Sequence, residues 1–268
     1  MTVDEYLEAK YGSGGPDGDR FEPDASEVHS SHLSDCERKR AWKHRRGHRS
    51  DPSPYFELGR VFETIYGAAL AFEHDPDITP DVLSRCKPWA VIERSTWVQQ
   101  DVSVEIELDD GKIVGECDWV VLDRSLLDGL ELVDLSADGE RGWVTGTGDG
   151  HAGEPPVEKV VETKTKGDLD WVRRDGPDAA HVYQVHPYMR ALDCPGEIAY
   201  MERDDWSEHV VDVPFDDAVW MDCELRARRH MRNAEADEVP PATPLDEKEC
   251  RFCPFQHECY EHGGSEYL

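Results

Sequence analysis

Between residues 56 and 72 the apolar positions Leu58, Phe62, Ile65, Tyr66, Ala69 and Leu70 share one helical face, and Pro76 and Pro80 close that stretch. The period then changes to two. Trp97–Leu108 alternates through Val98, Val102, Val104, Ile106 and Leu108, Asp109-Asp110-Gly111 supplies a turn, and Lys112–Leu122 returns as a partner strand. Val157–Lys166 reads as a further strand, 178–193 as a helix despite Pro187, Ile198–Met201 and His209–Val213 as short strands, and Phe215–Glu235 as a helix. Near the start, Ser34 or Asp35 caps a short helix running to Arg46. The order of helix, hairpin, strand, helix, strands and helix predicts an α/β fold, a mixed central sheet flanked by helices.

Three segments fall outside this pattern. Residues 1–27 are Gly- and Asp-rich and read as a flexible N-terminal segment. Residues 123–156 are acidic and Gly-rich and read as an inserted loop, long enough to need a purpose. Residues 239–268 begin with the stiff linker Val-Pro-Pro-Ala-Thr-Pro and end in a cysteine-rich segment. The core domain is thus expected over 28–238.

Composition narrows the class. The chain has 268 residues with 8 Trp, 9 Tyr and 7 Phe, enough aromatic mass for a packed core. No run approaches the roughly 20 apolar residues of a membrane span. The first residues carry no secretory pattern, so a cytoplasmic protein is expected. Formal charge is −30, with the acid spread along the whole chain. That spread fits a halophile's hydrated surface better than an acidic mimic. At molar salt the Debye length is about 3 Å, so local constellations outweigh net charge in choosing partners.

One local reversal of sign stands out. Arg38, Lys39, Arg40, Lys43, Arg45 and Arg46 lie on the short helix with no acid among them. They read either as a solvated face or as a helix that contacts nucleic-acid phosphates. Two further charged positions sit inside apolar strands. Glu162 and Lys164 end the Val157–Lys166 strand on one face, and Asp118 lies in Gly-Glu-Cys-Asp-Trp-Val-Val. Buried charges need partners or a metal. Two carboxylates with a backbone carbonyl such as that of Thr163 form an oxygen-rich site suited to Mg²⁺ or Mn²⁺. At the other end, Cys250, Cys253 and Cys259 are spaced C-x2-C-x5-C. Three thiolates do not complete a tetrahedral site, so a fourth ligand is required; His257 is a spare donor, and zinc or an iron–sulfur cluster would suit.

Taken in order, Gly115-x-x-Asp118, Glu162-x-Lys164 and Gln184-x-x-x-Tyr188 resemble the PD-(D/E)xK nuclease superfamily in its RecB-like exonuclease branch. A leading Ser-x-Leu-x-x-Cys36 and the trailing cysteines make the chain most similar to CRISPR-associated RecB-like iron–sulfur exonucleases. The resemblance covers roughly residues 30–260. It implies a restriction-endonuclease-like core, with Asp118, Glu162 and the Thr163 carbonyl on the metal, Lys164 as catalytic lysine, and Gln184 and Tyr188 near the substrate or the lysine. It also implies that Cys36 joins Cys250, Cys253 and Cys259 around a [4Fe–4S] cluster that clasps the chain ends. The implied activity is metal-dependent exonuclease cleavage of DNA at single-stranded ends, in CRISPR spacer preparation with integrase subunits or in DNA repair. Three features depart from the branch: Glu63 stands where a histidine is usual, 44 residues separate Asp118 from Glu162, and Pro187 interrupts the Gln-x-x-x-Tyr helix. A DNA-binding scaffold that kept the cluster without chemistry, and a zinc-clasped nuclease, are the competing readings.

Overall fold

A computed structural model of the chain describes residues 24–46, 54–95, 97–123, 130–134, 141–145, 157–236, 239–245 and 247–262. The expected flexible segment at 1–27 therefore lies mostly outside the described residues. Its last residue, Glu27, is already part of the sheet.

The elements follow in chain order. Strand β1 (Glu27–His29) leads through a 3-10 turn (Ser30–His32) into helix α1 (Glu37–Arg46). Helices α2 (Pro54–His74), α3 (Pro80–Arg85) and α4 (Pro88–Ile92) precede the hairpin β2 (Val98–Leu108) and β3 (Gly111–Leu122). Strands β4 (Leu130–Asp134) and β5 (Arg141–Thr145) come next, then β6 (Val157–Lys166), α5 (Asp170–Asp175) and α6 (Ala179–Leu192). Strands β7 (Gly196–Glu202) and β8 (Glu208–Val213), helix α7 (Asp217–Glu235) and the short helices α8 (Glu247–Arg251) and α9 (Gln256–Glu261) complete the chain.

The main sheet is six-stranded and mixed. β3 is its hub: β2 pairs antiparallel along nearly its whole length, while β1 and β6 share its other edge. β7 then pairs parallel to β6, and β8 antiparallel to β7. The α/β architecture with flanking helices matches the sequence pattern. The insert at 123–156 differs from the expected loop, because β4 and β5 pair antiparallel as a separate two-stranded sheet within it. Short apolar stretches inside the acidic segment, Leu-Glu-Leu-Val and Gly-Trp-Val, supply those strands.

Helices cover both sheet faces, so central strands are buried on both sides. Tyr188, Val185 and Met189 of α6 pack with Val120, Val160 and Ile198 on one face. Phe62, Tyr66 and Leu70 of α2 pack with Trp119, Val121 and Val161 on the other. α2 comes especially close at Gly67: a Cβ there would lie 2.1 Å from the Trp119 ring, so only glycine fits. Pro187 does not interrupt α6. It withholds a donor from the Tyr183 carbonyl, which instead accepts from the Cys223 thiol at 3.7 Å. Among the described residues, no helix is long and apolar enough to cross a membrane.

Candidate active site

The site forms where β3 and β6 run side by side. Their register pairs Trp119 with Val161, and one step further along it places Asp118 at the level of Glu162, with Thr163 next to it. One oxygen of Asp118 accepts from the Thr163 amide at 2.7 Å and from its hydroxyl at 2.6 Å. Glu162 and Lys164, two apart on β6, face the same way and are joined by a short hydrogen bond from the ammonium to Oε1 of Glu162. Oε1 also accepts from Gln184 Nε2 at 2.7 Å. Glu162 is 1% exposed, and its second oxygen, Oε2, is buried with no hydrogen-bond partner among the described residues.

Beside this group is an open cleft of about 530 Å³ lined by Glu63, Asp101, Glu116, Asp118, Thr163 and Lys164, with Gly59 and Arg60 at the α2 edge. Glu63 projects from α2, where Gln100 Nε2 donates to it at 2.9 Å. Asp101 and Glu116 went unnoticed in the sequence. The available signal was strand register: Gln100 pairs with Trp119 and Val102 with Cys117, so Asp101 sits across from Asp118. Like charges opposed across a ladder are unfavourable without a cation between or beside them. Asp101 also holds a left-handed backbone, φ 53°, an unusual conformation within a strand.

The crowded carboxylates alter one another's titration. Burial first, and the charge of Asp118 second, push Glu63 up to about 7. Burial likewise raises the Glu162 carboxyl, against the pull of Lys164. Burial works against the Lys164 ammonium, but the neighbouring Glu162 and Asp118 outweigh it and raise its pKa.

These observations fit a divalent cation. An orphaned buried carboxylate oxygen, four further carboxylates in one cleft and upward-shifted acids all mark missing positive charge. Among the described residues, no group of three or more His, Cys, Asp or Glu side chains is yet arranged to hold an ion as it stands. The protein's own donors explain this, because Thr163 and Lys164 occupy the oxygens an ion would compete for. Gln184 reaches Glu162, as its motif implies. Tyr188, expected near the substrate or the lysine, lies on the inner side of Gln184: its ring is fully buried, and its hydroxyl pairs with Ser30 Oγ at 2.7 Å and Gln184 Nε2 at 3.5 Å.

The cysteines converge at the far end of the N-terminal segment. Cys36, Cys250, Cys253 and Cys259 line one small, partly open cavity with Arg38, Lys39, Trp42 and Glu249. The Thr243 amide donates to Cys36 Sγ at 3.3 Å, and Arg38 donates to Cys259 Sγ at 3.4 Å. Burial raises the Cys36, Cys250 and Cys253 thiols, so thiolates there need a compensating cation. Donors aimed at sulfur and a four-thiol lining fit either a cluster or zinc. His257 lies outside this cavity and is 86% exposed, so it is no spare ligand.

The basic helix, expected as a solvated face or a phosphate-contacting surface, turns two of its cations, Arg38 and Lys39, toward the C-terminal segment. Arg38 is buried and donates to the Pro240 carbonyl at 2.8 Å. Lys39 pairs with Asp35 at 2.6 Å and Glu249 at 3.1 Å, Lys43 pairs with Asp35 at 3.3 Å, and Arg45 donates to the Ala236 carbonyl. Arg40 is partly buried, and that burial lowers its pKa. The side chain of Arg46 lies outside the described residues. The physical cause is local: the C-terminal segment brings carbonyls and Glu249 against α1, and Trp42 stacks on Phe255 with ring centroids 5.5 Å apart.

No protein-family model matches the chain. No curated protein matches it either. Among solved structures, the chain is similar to the crystal structure of SSO0001, at 14% identity and TM-score 0.49 over 96% of this chain and 95% of that one. It is also similar to an alkaline exonuclease from Laribacter hongkongensis, at 10% identity and TM-score 0.38 over 80% and 90%. A phage-related exonuclease from Haemophilus somnus 129PT matches at 11% identity and TM-score 0.34 over 78% and 93%. Likenesses at these identities and scores assign neither a family nor an activity to the chain.

Proposed function

We propose that this chain is a metal-dependent nuclease of the PD-(D/E)xK kind, hydrolysing DNA phosphodiesters from single-stranded ends. The observation that carries the reading is the buried Glu162, held through Oε1 by Lys164 and Gln184 while Oε2 has no partner, beside the carboxylate-lined cleft. In this reading Asp118, Glu162, Glu63 and the Thr163 carbonyl hold Mg²⁺ or Mn²⁺. The bound ion would supply Lewis-acid polarisation of the phosphodiester and a more acidic water.

The chain's own residues do the rest. Glu162 and Asp118, each anchored through one oxygen, keep their orientation without reorganising when substrate arrives. Lys164, beside Glu162 at the cleft wall, offers a cation to the scissile phosphate or the attacking water. The cleft is lined by polar groups and open on one side, as a long polyanion requires. At −30 overall, the chain brings DNA to this cleft only through screening salt or bound cations.

The four-cysteine clasp, as a [4Fe–4S] cluster or as a zinc site, belongs to the same proposal, as does a role beside CRISPR integrase subunits or in repair. The scaffold reading draws on the Glu63 replacement, yet Glu63 lines the cleft as an oxygen donor. The test compares linear and covalently circular single strands, in high KCl with Mn²⁺ or with chelator. Degradation of the linear strand alone, and only with metal, is expected. Cutting of the circle would exclude an exonuclease, and binding without cleavage of either would favour the scaffold.

A further inference from the structure

The described site leaves one buried polar group unused. Ser30 sits in the 3-10 turn after β1 and is 1% exposed, yet its hydroxyl meets Tyr188, 158 residues later, at 2.7 Å. Gly115 accommodates that meeting. A Cβ at Gly115 would stand 2.5 Å from Ser30 Oγ and 2.7 Å from the Tyr188 ring. The contacts then continue inward: Tyr188 hydroxyl to Gln184 Nε2 at 3.5 Å, and Gln184 Nε2 to Glu162 Oε1 at 2.7 Å.

Proton accounting gives this chain of contacts a direction. Glu162 as a carboxylate only accepts, so the Gln184 group facing it must be the NH₂. The second Gln184 proton then points at the Tyr188 oxygen, which must accept it. Tyr188 has one proton of its own and must donate it elsewhere, and Ser30 Oγ is the acceptor within reach. Without Ser30 the tyrosine proton turns back on Gln184. The charge-assisted bond to Glu162 holds the amide's polarity, so the tyrosine proton and the Gln184 NH₂ confront each other and the contact between Tyr188 and Gln184 is lost.

We propose that Ser30 is a positioning residue: by accepting the Tyr188 proton it leaves the Tyr188 oxygen free to hold the Gln184 amide, and so steadies the aim of Glu162. The inference rests on the nuclease reading for its consequence, but not for its structural core. It makes the β1–α1 segment, six residues before Cys36, a working part of the site.

The sharpest consequence is a suppressor. In Ser30→Ala the harm comes from the orphaned tyrosine hydroxyl, so adding Tyr188→Phe removes the conflict. Ser30→Ala should weaken Mn²⁺ binding by up to about tenfold, the lower end of the scale for losing a direct hydrogen-bond partner of a metal ligand. Ser30→Ala/Tyr188→Phe should restore it to within about threefold of wild type. Ser30→Cys, close in volume with a poor acceptor, should repeat the Ala result if Ala packs badly.

The Gln184 side-chain NH₂ signals, assigned by their loss in Gln184→Met, give a readout that needs neither metal nor activity. In metal-free protein these signals should shift in Ser30→Ala and return in the double variant. Unchanged Gln184 signals in Ser30→Ala, or a shift that persists in the double variant, would overturn the proposal. Wild type that binds Mn²⁺ without cutting DNA would instead sink the nuclease reading and leave this arrangement standing.

Discussion

Glu63 and Glu162 make the site's chemistry readable as pH dependence. Glu63 has an ordinary pKa of 4.5 and is raised to about 7 in the fold. A carboxyl raised on folding contributes stability that is fully present below about 4.5 and lost as pH climbs through about 7. Histidines such as His32 and His230, held below their ordinary pKa by burial, act in the opposite direction, so the Glu63 contribution is read as a difference: between pH 5 and pH 8, metal-free wild type should lose melting temperature relative to Glu63→Gln. Mn²⁺ binds the ionised forms, so its stabilising shift should grow over the same interval. Thermal melts at pH 5, 6, 7 and 8, with and without Mn²⁺, check both slopes. Glu63→Gln should remove that relative loss and weaken the Mn²⁺ shift; a Mn²⁺ shift independent of pH would argue against carboxylate ligation. Asp118, Glu162 and Lys164 were legible in the sequence because charge inside an apolar strand is conspicuous. Asp101 and Ser30 were not, because a lone acid in a hairpin and a serine in a turn look ordinary until register and packing bring them to Asp118 and Tyr188.

Helix α2 sets the position of Glu63, and its seat on the sheet is Gly67 against Trp119. Gly67→Ala forces a methyl to 2.1 Å from a fully buried ring, so the helix or the ring must shift. Overpacking of this kind costs on the order of 1–3 kcal/mol. Because Gly67 lies one turn beyond Glu63, Mn²⁺ affinity should fall with stability. Calorimetric titration of Gly67→Ala checks this, and an unchanged affinity with a lowered melting temperature would detach Glu63 from the metal. At this scale the sequence pattern was informative. The Val157–Lys166 strand coincides with β6, and the α2, β2, β3 and α7 expectations differ only at their ends. Elements carried by few residues escaped it: β1 is three residues long and becomes a strand only by pairing with β3, while β4 and β5 lay hidden in acidic composition.

Across the whole molecule, contacts distant in sequence tie the C-terminal segment to α1 and the turn before it to α6. The C-terminal segment holds α1 through Arg38, Lys39, Cys36 and Glu37. The preceding turn holds Ser30 against Tyr188. Cys253→Ser should release bound iron or zinc and lower the melting temperature; metal analysis with the visible spectrum of anaerobically purified protein identifies which metal is present. A charge of −30 opposes compaction, so the melting temperature should rise as KCl increases and repulsion is screened. The four-cysteine grouping was legible from motif order. The inward use of the basic helix was not, because its partners Pro240 and Glu249 are about 200 residues away in sequence. If Asp118, Glu162 and Lys164 form a metal-dependent hydrolytic centre, cleavage of end-labelled single-stranded DNA with Mn²⁺ in high KCl depends on all three. Wild type should degrade the strand, while Lys164→Ala, still folded and still binding Mn²⁺, should lose at least about a hundredfold in rate. Equal cleavage by the two proteins, or none by wild type, would contradict it.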